Sequence, residues 1–297
     1  MALLAAALAM YSSAGAGEIY QAASAYHHIR VVEDGSYRLL CFDDATESRI
    51  SLQDPWRGHF EYTEYFHMPW LWNTNLSRVL MIGLGGGSAQ RAFEHYYPSV
   101  TIDTVELDPL VLRIARNYFG FEESERQRVF IEDGRLFLRR SARRYDLIIL
   151  DAYVQGRYGS SIPQHLATKE FFELAREHLT TNGIFADNVI GTLDDWHAGI
   201  VGAIYRTLKT VFPQVYLFPA KSSMNVVVLA TRATVLPDIN GLRQRAALLA
   251  QTGRVTLPGF GERLERIRIT PPASAAASPI LTDDYAPVEG ISGTGGP

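Results

Sequence analysis

A single cysteine, Cys41, stands in 297 residues, which excludes an intrachain disulfide framework and every cysteine-based zinc pattern. It reads as a buried strand residue, not a catalytic thiol. The eight histidines, among them His27, His28, His59 and His67, lack the spacing of a zinc helix motif, so no metal is expected. His27 and His28 read as strand residues. An excess of charge of one sign is also missing: 28 Lys and Arg against 32 Asp and Glu leave a net −4. That balance argues against a nucleic acid or an anionic membrane as partner. Met1 to Met10, MALLAAALAM, is apolar but too short to span a bilayer, and no Lys or Arg precedes it. It fits a weak signal peptide, the end of a membrane segment, or an Ala-rich helix that frays; the last is favoured, and no membrane is expected for this chain. There is no internal repeat, and the low-complexity stretch PPASAAASP is too short to be a domain. The length suits one large domain or two.

Against these absences stands a concentration of glycine. Arg78 to Gly87 reads RVLMIGLGGG. Val79 to Ile82 make a buried strand, and Gly83, Gly85, Gly86 and Gly87 let the backbone turn sharply and approach a ligand without a Cβ in the way. A helix from roughly Ser88 to Tyr97 then aims its N-terminal amides at the same place. The second strand, in TIDTVELDP, closes at Glu106, about 20 residues beyond the glycines, where an acid can accept hydrogen bonds from both hydroxyls of a ribose. A tight turn beside an exposed strand-end acid would give the same letters. Two further acids narrow the choice. Asp133 follows VFIE and precedes Gly134 and a helical stretch; Asp151 follows YDLIIL and precedes Ala152 and Tyr153. One strand-end Asp is more often a helix N-cap than a ligand contact. Three acids and the glycines along one edge of an open parallel sheet favour a nucleoside site. NAD is a weaker candidate, because Ser88 stands where G-x-G-x-x-G needs its last glycine.

Around this unit the chain divides into residues 1–17, apolar and linker-like; 18–72, a small antiparallel β domain; 73–290, the α/β nucleoside-binding domain; and 291–297, a Gly-rich tail. In the β domain HHIRVVED and SYRLLCFD flank a hairpin turn at Asp34-Gly35. In HFEYTEYFHMPWLW a helix would bring Tyr62, Tyr65 and Phe66 together, with Glu64 on a different side. After Asp151, Gly156, Gly159, Ser160 and Ser161 form a flexible loop suited to a gate, and an amphipathic helix begins near Thr168. Strand and helix then alternate through IFADNV, a helix from Trp196 to Thr210, VYLFP, NVVVLA, and a helix from Asn240 to Gln251.

In order, YHHIRV, YTE, VLMIGLGGG, VELDP, EDG, YDLIILDAY, SIPQHLATKEFF and LTDDYAPVE resemble the spermidine/spermine synthase family from about Ser24 to Glu289, and most closely its divergent bacterial branch. The resemblance implies a Rossmann-like class I methyltransferase fold behind the β domain. It implies a cytoplasmic enzyme of polyamine biosynthesis that transfers an aminopropyl group to an amine and releases methylthioadenosine. The co-substrate would be decarboxylated S-adenosylmethionine or S-adenosylmethionine, with no tightly bound cofactor; the partners would be a small-molecule amine or nucleoside and, through the β domain, a second copy of the chain. By the same resemblance Glu106 holds the ribose and Asp133, with Gly134 beside it, the adenine amino group. Gly83 and Gly85 to Gly87 lie along the thioether, with Ser88 next to them. Asp151 is the first acid of the family's D-x-x-D pair and accepts the proton of the attacking amine; Tyr153 and Tyr62 complete the catalytic set. Tyr62 matches the Tyr of a Y-H-E motif in which Thr63 replaces His and Glu64 is kept, and Glu47 falls near a substrate-contacting Gln; Glu47 and Glu64 are the expected substrate contacts.

Two positions depart from the family. Val154 stands where the second acid of the pair is expected, and Ser88 where an acid usually pairs with the donor's free ammonium. The change at Ser88 removes attraction for a decarboxylated donor and repulsion for a donor that keeps its carboxylate, and the change at Val154 weakens polyamine binding. Three readings follow: aminopropyl transfer; a lyase acting on the sulfonium or a small-molecule methyltransferase; and a nucleoside-binding protein without chemistry.

Overall fold

The computed structural model describes residues 17–43, 45–56, 59–156, 159–195, 197–235 and 238–293. The apolar leader, Trp196 and the end of the Gly-rich tail lie outside the described residues. Strands β1 (Gly17–Ala23), β2 (His28–Asp34), β3 (Tyr37–Phe42) and β4 (Ala45–Ser51) pair in chain order as an antiparallel sheet. The β2–β3 hairpin closes over Gly35 and Ser36, with Asp34 paired to Tyr37, one residue beyond the expected turn. The remaining strands are β5 (Arg78–Ile82), β6 (Thr101–Glu106), β7 (Gln127–Ile131), β8 (Tyr145–Leu150), β9 (Val154–Gly156), β10 (Gly159–Ser161), β11 (Leu179–Ile190), β12 (Gln214–Pro219) and β13 (Asn225–Thr231). Helices α1 (Tyr62–Tyr65), α2 (Ser88–Tyr96), α3 (Pro109–Tyr118), α4 (Gly134–Arg140), α5 (Lys169–Glu177), α6 (Ala198–Val211) and α7 (Ile239–Gln251) lie between and after them.

Among the described residues the large sheet runs β12-β13-β11-β8-β5-β6-β7. From β11 to β7 neighbours are parallel, and β13 runs antiparallel to both strands beside it. Helices cover both faces, so the central strands read as unbroken apolar runs rather than alternating ones; VLMI and LIIL are buried throughout. Asp108, Thr168 and Asp238 cap α3, α5 and α7 with their side chains. The C-terminal LTDDYAPVE has a clasping role: Asp283 takes Arg135 through both carboxylate oxygens, at 2.7 and 2.6 Å, and the Thr168 hydroxyl at 2.7 Å.

The small sheet does not have a core of its own. Ile29, Val31, Leu40 and Ile50 pack on Leu110, Val111, Ile114 and Phe119 along α3 and its end. The expected division at residue 72 therefore moves to the end of β4. Helix α1 and the turn after it belong to the large domain, where Tyr65 meets Phe218 at 5.8 Å between ring centroids and Trp72 meets Tyr216 at 4.7 Å. These aromatics seal the face of the large sheet that α2 and α7 leave open, a role for which the small sheet, already covered by α3, has no room.

One residue in this core breaks its chemistry. Asp187 of β11 has no exposed surface, and neither carboxyl oxygen has a hydrogen-bond partner among the described residues. Burial, and then the charge of Asp151, pushes its carboxyl well above the usual range. The folded protein thus keeps a proton that the unfolded chain gives up at about pH 4. Stability is unaffected below that pH and falls as pH rises above it, by about 1.4 kcal/mol per unit until Asp187 ionises in place. In thermal unfolding between about pH 4 and pH 7, Asp187→Asn should gain on the wild-type chain as pH rises; a constant difference would show that Asp187 titrates as it does unfolded.

Candidate active site

The ends of β5, β6 and β8 meet along one edge. The amide of Gly83 donates to the Val105 carbonyl at 2.8 Å, and that of Asp151 to the Ile82 carbonyl at 2.9 Å. At Gly83, φ is +104° and a Cβ would lie 2.0 Å from the Asp151 carbonyl oxygen, so only glycine lets the two strand ends touch. Gly83 and Gly85 border a cavity of about 1020 Å³, mouth included. Gly86 and Gly87 do not, which corrects the expectation that the whole run approaches a ligand. Gly87 lies against Phe121, 2.6 Å from where its Cβ would be, and Gly86 against Phe119 and Ser48. They are small because the loop packs tightly against Phe119 and Phe121 after α3 and, at Gly86, against Ser48 of β4.

Asp151 lines this cavity and is held on both oxygens. The Tyr62 hydroxyl donates to Oδ2 at 3.2 Å, and the Asn188 amide to Oδ1 at 2.9 Å. Asn188 is itself oriented by Asn225, whose amide donates to its Oδ1 at 3.0 Å. Burial pushes the Asp151 carboxyl up to about 6, against the pull of these two donors, and drives the Tyr62 hydroxyl well above its ordinary value. Tyr153 lines the cavity by its ring only. Its hydroxyl donates to the Asn188 carbonyl and accepts the Ile190 amide at 3.1 Å. The hydroxyl of Tyr153, expected in the catalytic set, is thus engaged by the backbone of β11. Val154 lines the cavity and opens a β9–β10 hairpin where an irregular gate loop is expected.

Glu106 is a buried carboxylate fixed by backbone. Its Oε2 accepts the Leu84 amide at 3.0 Å and its Oε1 the Asp108 amide at 2.8 Å, while burial pushes it up to about 7. Each oxygen keeps a lone pair for a ligand hydroxyl. Asp133 is more heavily engaged. Oδ1 caps α4 through the Leu136 amide at 2.9 Å, and Oδ2 pairs with His165 Nε2 at 2.7 Å. The His165 bond, with the cap, holds its carboxyl below the usual range. Any hold on an adenine thus comes through a pair, Asp133 and His165, with Gly134 beside them in the cavity wall.

Two expected residues lie elsewhere. Glu64 points away from the cavity and takes Arg263 and His59, the latter at 3.1 Å; its substrate contact is corrected to an ion pair that anchors α1. Of the three aromatics expected together, Tyr62 and Phe66 meet edge to face at 5.8 Å, whereas the ring of Tyr65 packs on Phe218. Ser88 opens α2 beside the large cavity, bordering two small ones, with its hydroxyl buried and unpartnered among the described residues. Conversely, the structure adds Asn188, Ser48, His165 and His27 to the site. Asn188 lies inside β11, between Asp187 and Val189, where no strand-end pattern marks it in the sequence. His27 stands just before β2, not in it, stacked on Phe42 at 4.3 Å between centroids. Among the described residues no group of His, Cys, Asp and Glu is arranged to hold a metal.

Residues 59–222 match the spermine/spermidine synthase domain. The sequence is 33% identical over 257 residues to a polyamine aminopropyltransferase of Vibrio vulnificus, covering 84% of this chain and 83% of that one. Spermidine synthase from Thermotoga maritima has the same fold, with a TM-score of 0.61 at 24% identity over 84% of this chain and 87% of that chain. Human methyltransferase-like protein 13, solved in complex with SAH, gives 0.56 at 27% identity over 65% and 90%. The matched domain runs from α1 through the glycine loop, Glu106, Asp133, Asp151 and Asn188, so it holds most of the cavity wall, while His27, Glu47 and Ser48 come from the β domain before it; the chain belongs to the spermine/spermidine synthase family.

Proposed function

We propose that this chain is a polyamine aminopropyltransferase: it moves an aminopropyl group from the sulfonium of decarboxylated S-adenosylmethionine to an amine and releases methylthioadenosine. The observation that carries this reading is Asp151, an acid buried at the cavity wall with both oxygens held, in a chain of this family. The nucleoside end lies toward Glu106, whose fixed carboxylate takes the ribose hydroxyls, with Asp133 and His165 beyond it. The amine nitrogen attacks the methylene carbon next to sulfur. As the N–C bond forms the C–S bond breaks, its electron pair stays on sulfur, and the sulfonium becomes a neutral thioether. The nitrogen gives one proton to Asp151 before it attacks, and after the attack it carries the positive charge away as the ammonium of the product.

A carboxylate suits both duties. An aliphatic amine has a pKa of roughly 10 and arrives as a cation, which Asp151 attracts; it must lose a proton before its lone pair can attack. Burial makes Asp151 more basic than a free carboxylate, and so a better acceptor for that proton. Sulfonium cleavage without an amine gives this acid no comparable task. The donor is a co-substrate, exchanged at each turnover. The compartment proposed is the cytoplasm, where such donors are made; among the described residues no helix is long and apolar enough to cross a membrane.

The direct test is release of methylthioadenosine from decarboxylated S-adenosylmethionine with and without 1,4-diaminobutane; release that ignores the amine would replace this reading with a lyase. Asp151→Asn should lower amine-dependent turnover by at least about 10²-fold, the usual scale for a lost general base, and leave methylthioadenosine affinity within about two-fold; turnover near wild type would remove Asp151 from the mechanism. Glu106→Ala should weaken methylthioadenosine binding in calorimetry by about 1–3 kcal/mol, the cost of hydroxyls buried without partners, and unchanged affinity would put the nucleoside elsewhere. Because Asp151 is protonated below about 6 and then cannot hold a cation, kcat/KM for the amine should fall as pH drops through that value. A flat profile from about pH 5 to pH 8 would contradict the assignment.

A further inference from the structure

The pairing of β4 with β3 contains an irregularity at one residue. Leu40 faces Ser48, but the next residue, Cys41, faces Thr46, so Glu47 is an extra residue without a partner in the ladder. In a regular strand Glu47 and Ser48 would point to opposite faces. A bulge removes that constraint and re-aims a side chain, and here both residues line the cavity. Ser48 accepts the Gly86 amide at 2.9 Å. The Glu47 carboxyl is tied to the β9–β10 hairpin: Ser160 donates to it at 3.1 Å, and Gln155 donates to the Ser160 hydroxyl at 2.7 Å.

The charge around it has one sign. No Lys or Arg is among the described residues that line the cavity, whereas Glu47 and Asp151 both do, and they repel each other's ionised forms. Glu106 and Asp133 line it as well, but backbone amides and His165 already engage them. Among the described residues Glu47 is met only by neutral hairpin donors, and none of them offsets its charge. Two half-buried acids in one cavity ionise together more readily when cations enter between them.

We propose that Glu47 is the second carboxylate of the acceptor site: it binds the non-reacting ammonium of a diamine while Asp151 takes the reacting one. Acceptors with two amines are thereby selected over those with one. This rests on the reading of the chain as an aminopropyltransferase, and deepens it. The bulge supplies the charge that Val154 does not, and the hairpin that carries Val154 holds the replacement in position.

The test compares 1,4-diaminobutane with 1-aminobutane, each with decarboxylated S-adenosylmethionine, by methylthioadenosine release. In the wild-type chain kcat/KM should favour the diamine. In Glu47→Gln that preference should fall at least tenfold, chiefly through a higher KM for the diamine, and Glu47→Asp, which keeps the charge, should restore most of it. Methylthioadenosine affinity checks that both variants are folded. A diamine preference unchanged in Glu47→Gln overturns the role of Glu47 and leaves the aminopropyltransferase standing. A wild-type chain that releases product with neither amine overturns the function itself, before any variant is made.

Discussion

The site depends on keeping one carboxylate, that of Asp151, in a buried place without letting it find a permanent counter-charge. Its oxygens are met by a phenol and an amide, which orient it and leave it basic. A Lys or Arg in their place would stabilise the ionised form and depress its proton affinity. The topology makes the neutral partners available. Because β13 runs against the other strands, its first residue, Asn225, lies at the edge where β11 and β8 end, opposite Ile190. Asn225, Asn188 and Asp151 then form a chain across β13, β11 and the end of β8. From the other side, Tyr62 reaches Asp151 only because α1 is sealed onto the large sheet by aromatic contacts. The backbone carrying Asp151 is as closely set as its side chain, since Gly83 leaves no space between the strand ends.

The small sheet matters to chemistry as well as to folding. Its apolar face shares a core with α3, which fixes β4 over the glycine loop, and Ser48 is bonded to that loop at Gly86. A cavity formed between two parts of the fold excludes water from the reacting atoms, and electrostatic interactions inside it strengthen accordingly. The hairpin β9–β10 meets the roof at Glu47, so the segment after Asp151 joins the two walls. It pairs with itself as Val154 to Ser161 and Gln155 to Ser160; residues with so much Gly and Ser read as a loop in sequence, because the pairing is only three residues long.

What the sequence reveals, it reveals through local rules. Apolar runs that end in glycine or acid locate Gly83, Glu106, Asp133 and Asp151 at one edge, since strand ends in a parallel sheet fall together whatever the rest of the chain does. The helical spacing of Tyr62 and Phe66 is likewise local. Partners are not. Asp133 is both the helix cap that its position favours and one half of a pair with His165, and only the fold brings that histidine to it. Glu64 sits in a motif that implies a substrate, yet Arg263, far along the chain, takes it. Tyr153 borders the site, but its hydroxyl is claimed by the backbone of β11. Asp187, in the middle of an apolar strand, contradicts the rule that buried acids are paired, and nothing in its neighbours in sequence announces it. The bulge at Glu47 is equally silent, because an extra residue shows only against the strand beside it.

Val154 and Ser88 therefore carry different weights as evidence about chemistry. An acid missing from a sequence motif is a missing charge only if no other residue can bring one to the same place. At 154 the cavity wall is apolar, but the hairpin that begins there is bonded to a carboxyl from another strand, so the cation-binding character of the cavity survives the substitution. At Ser88 the acids bordering the neighbouring small cavities are Glu64, which is paired with Arg263, and Asp151. The small cavity beside it is bordered by Tyr62, Thr63, Gln90 and Asp151, and its hydroxyl is buried without a partner among the described residues. A hydroxyl can accept from an ammonium or donate to a carboxylate, so Ser88 itself does not choose between the two donors. The choice falls to Asp151, which borders both the small cavity and the large one: a donor tail that ends in a carboxylate would bring a second negative charge toward it, whereas an aminopropyl tail brings a positive one. On the proposed reading, the acid that takes the proton would also disfavour the intact donor, and acceptor and donor preferences would share one electrostatic origin.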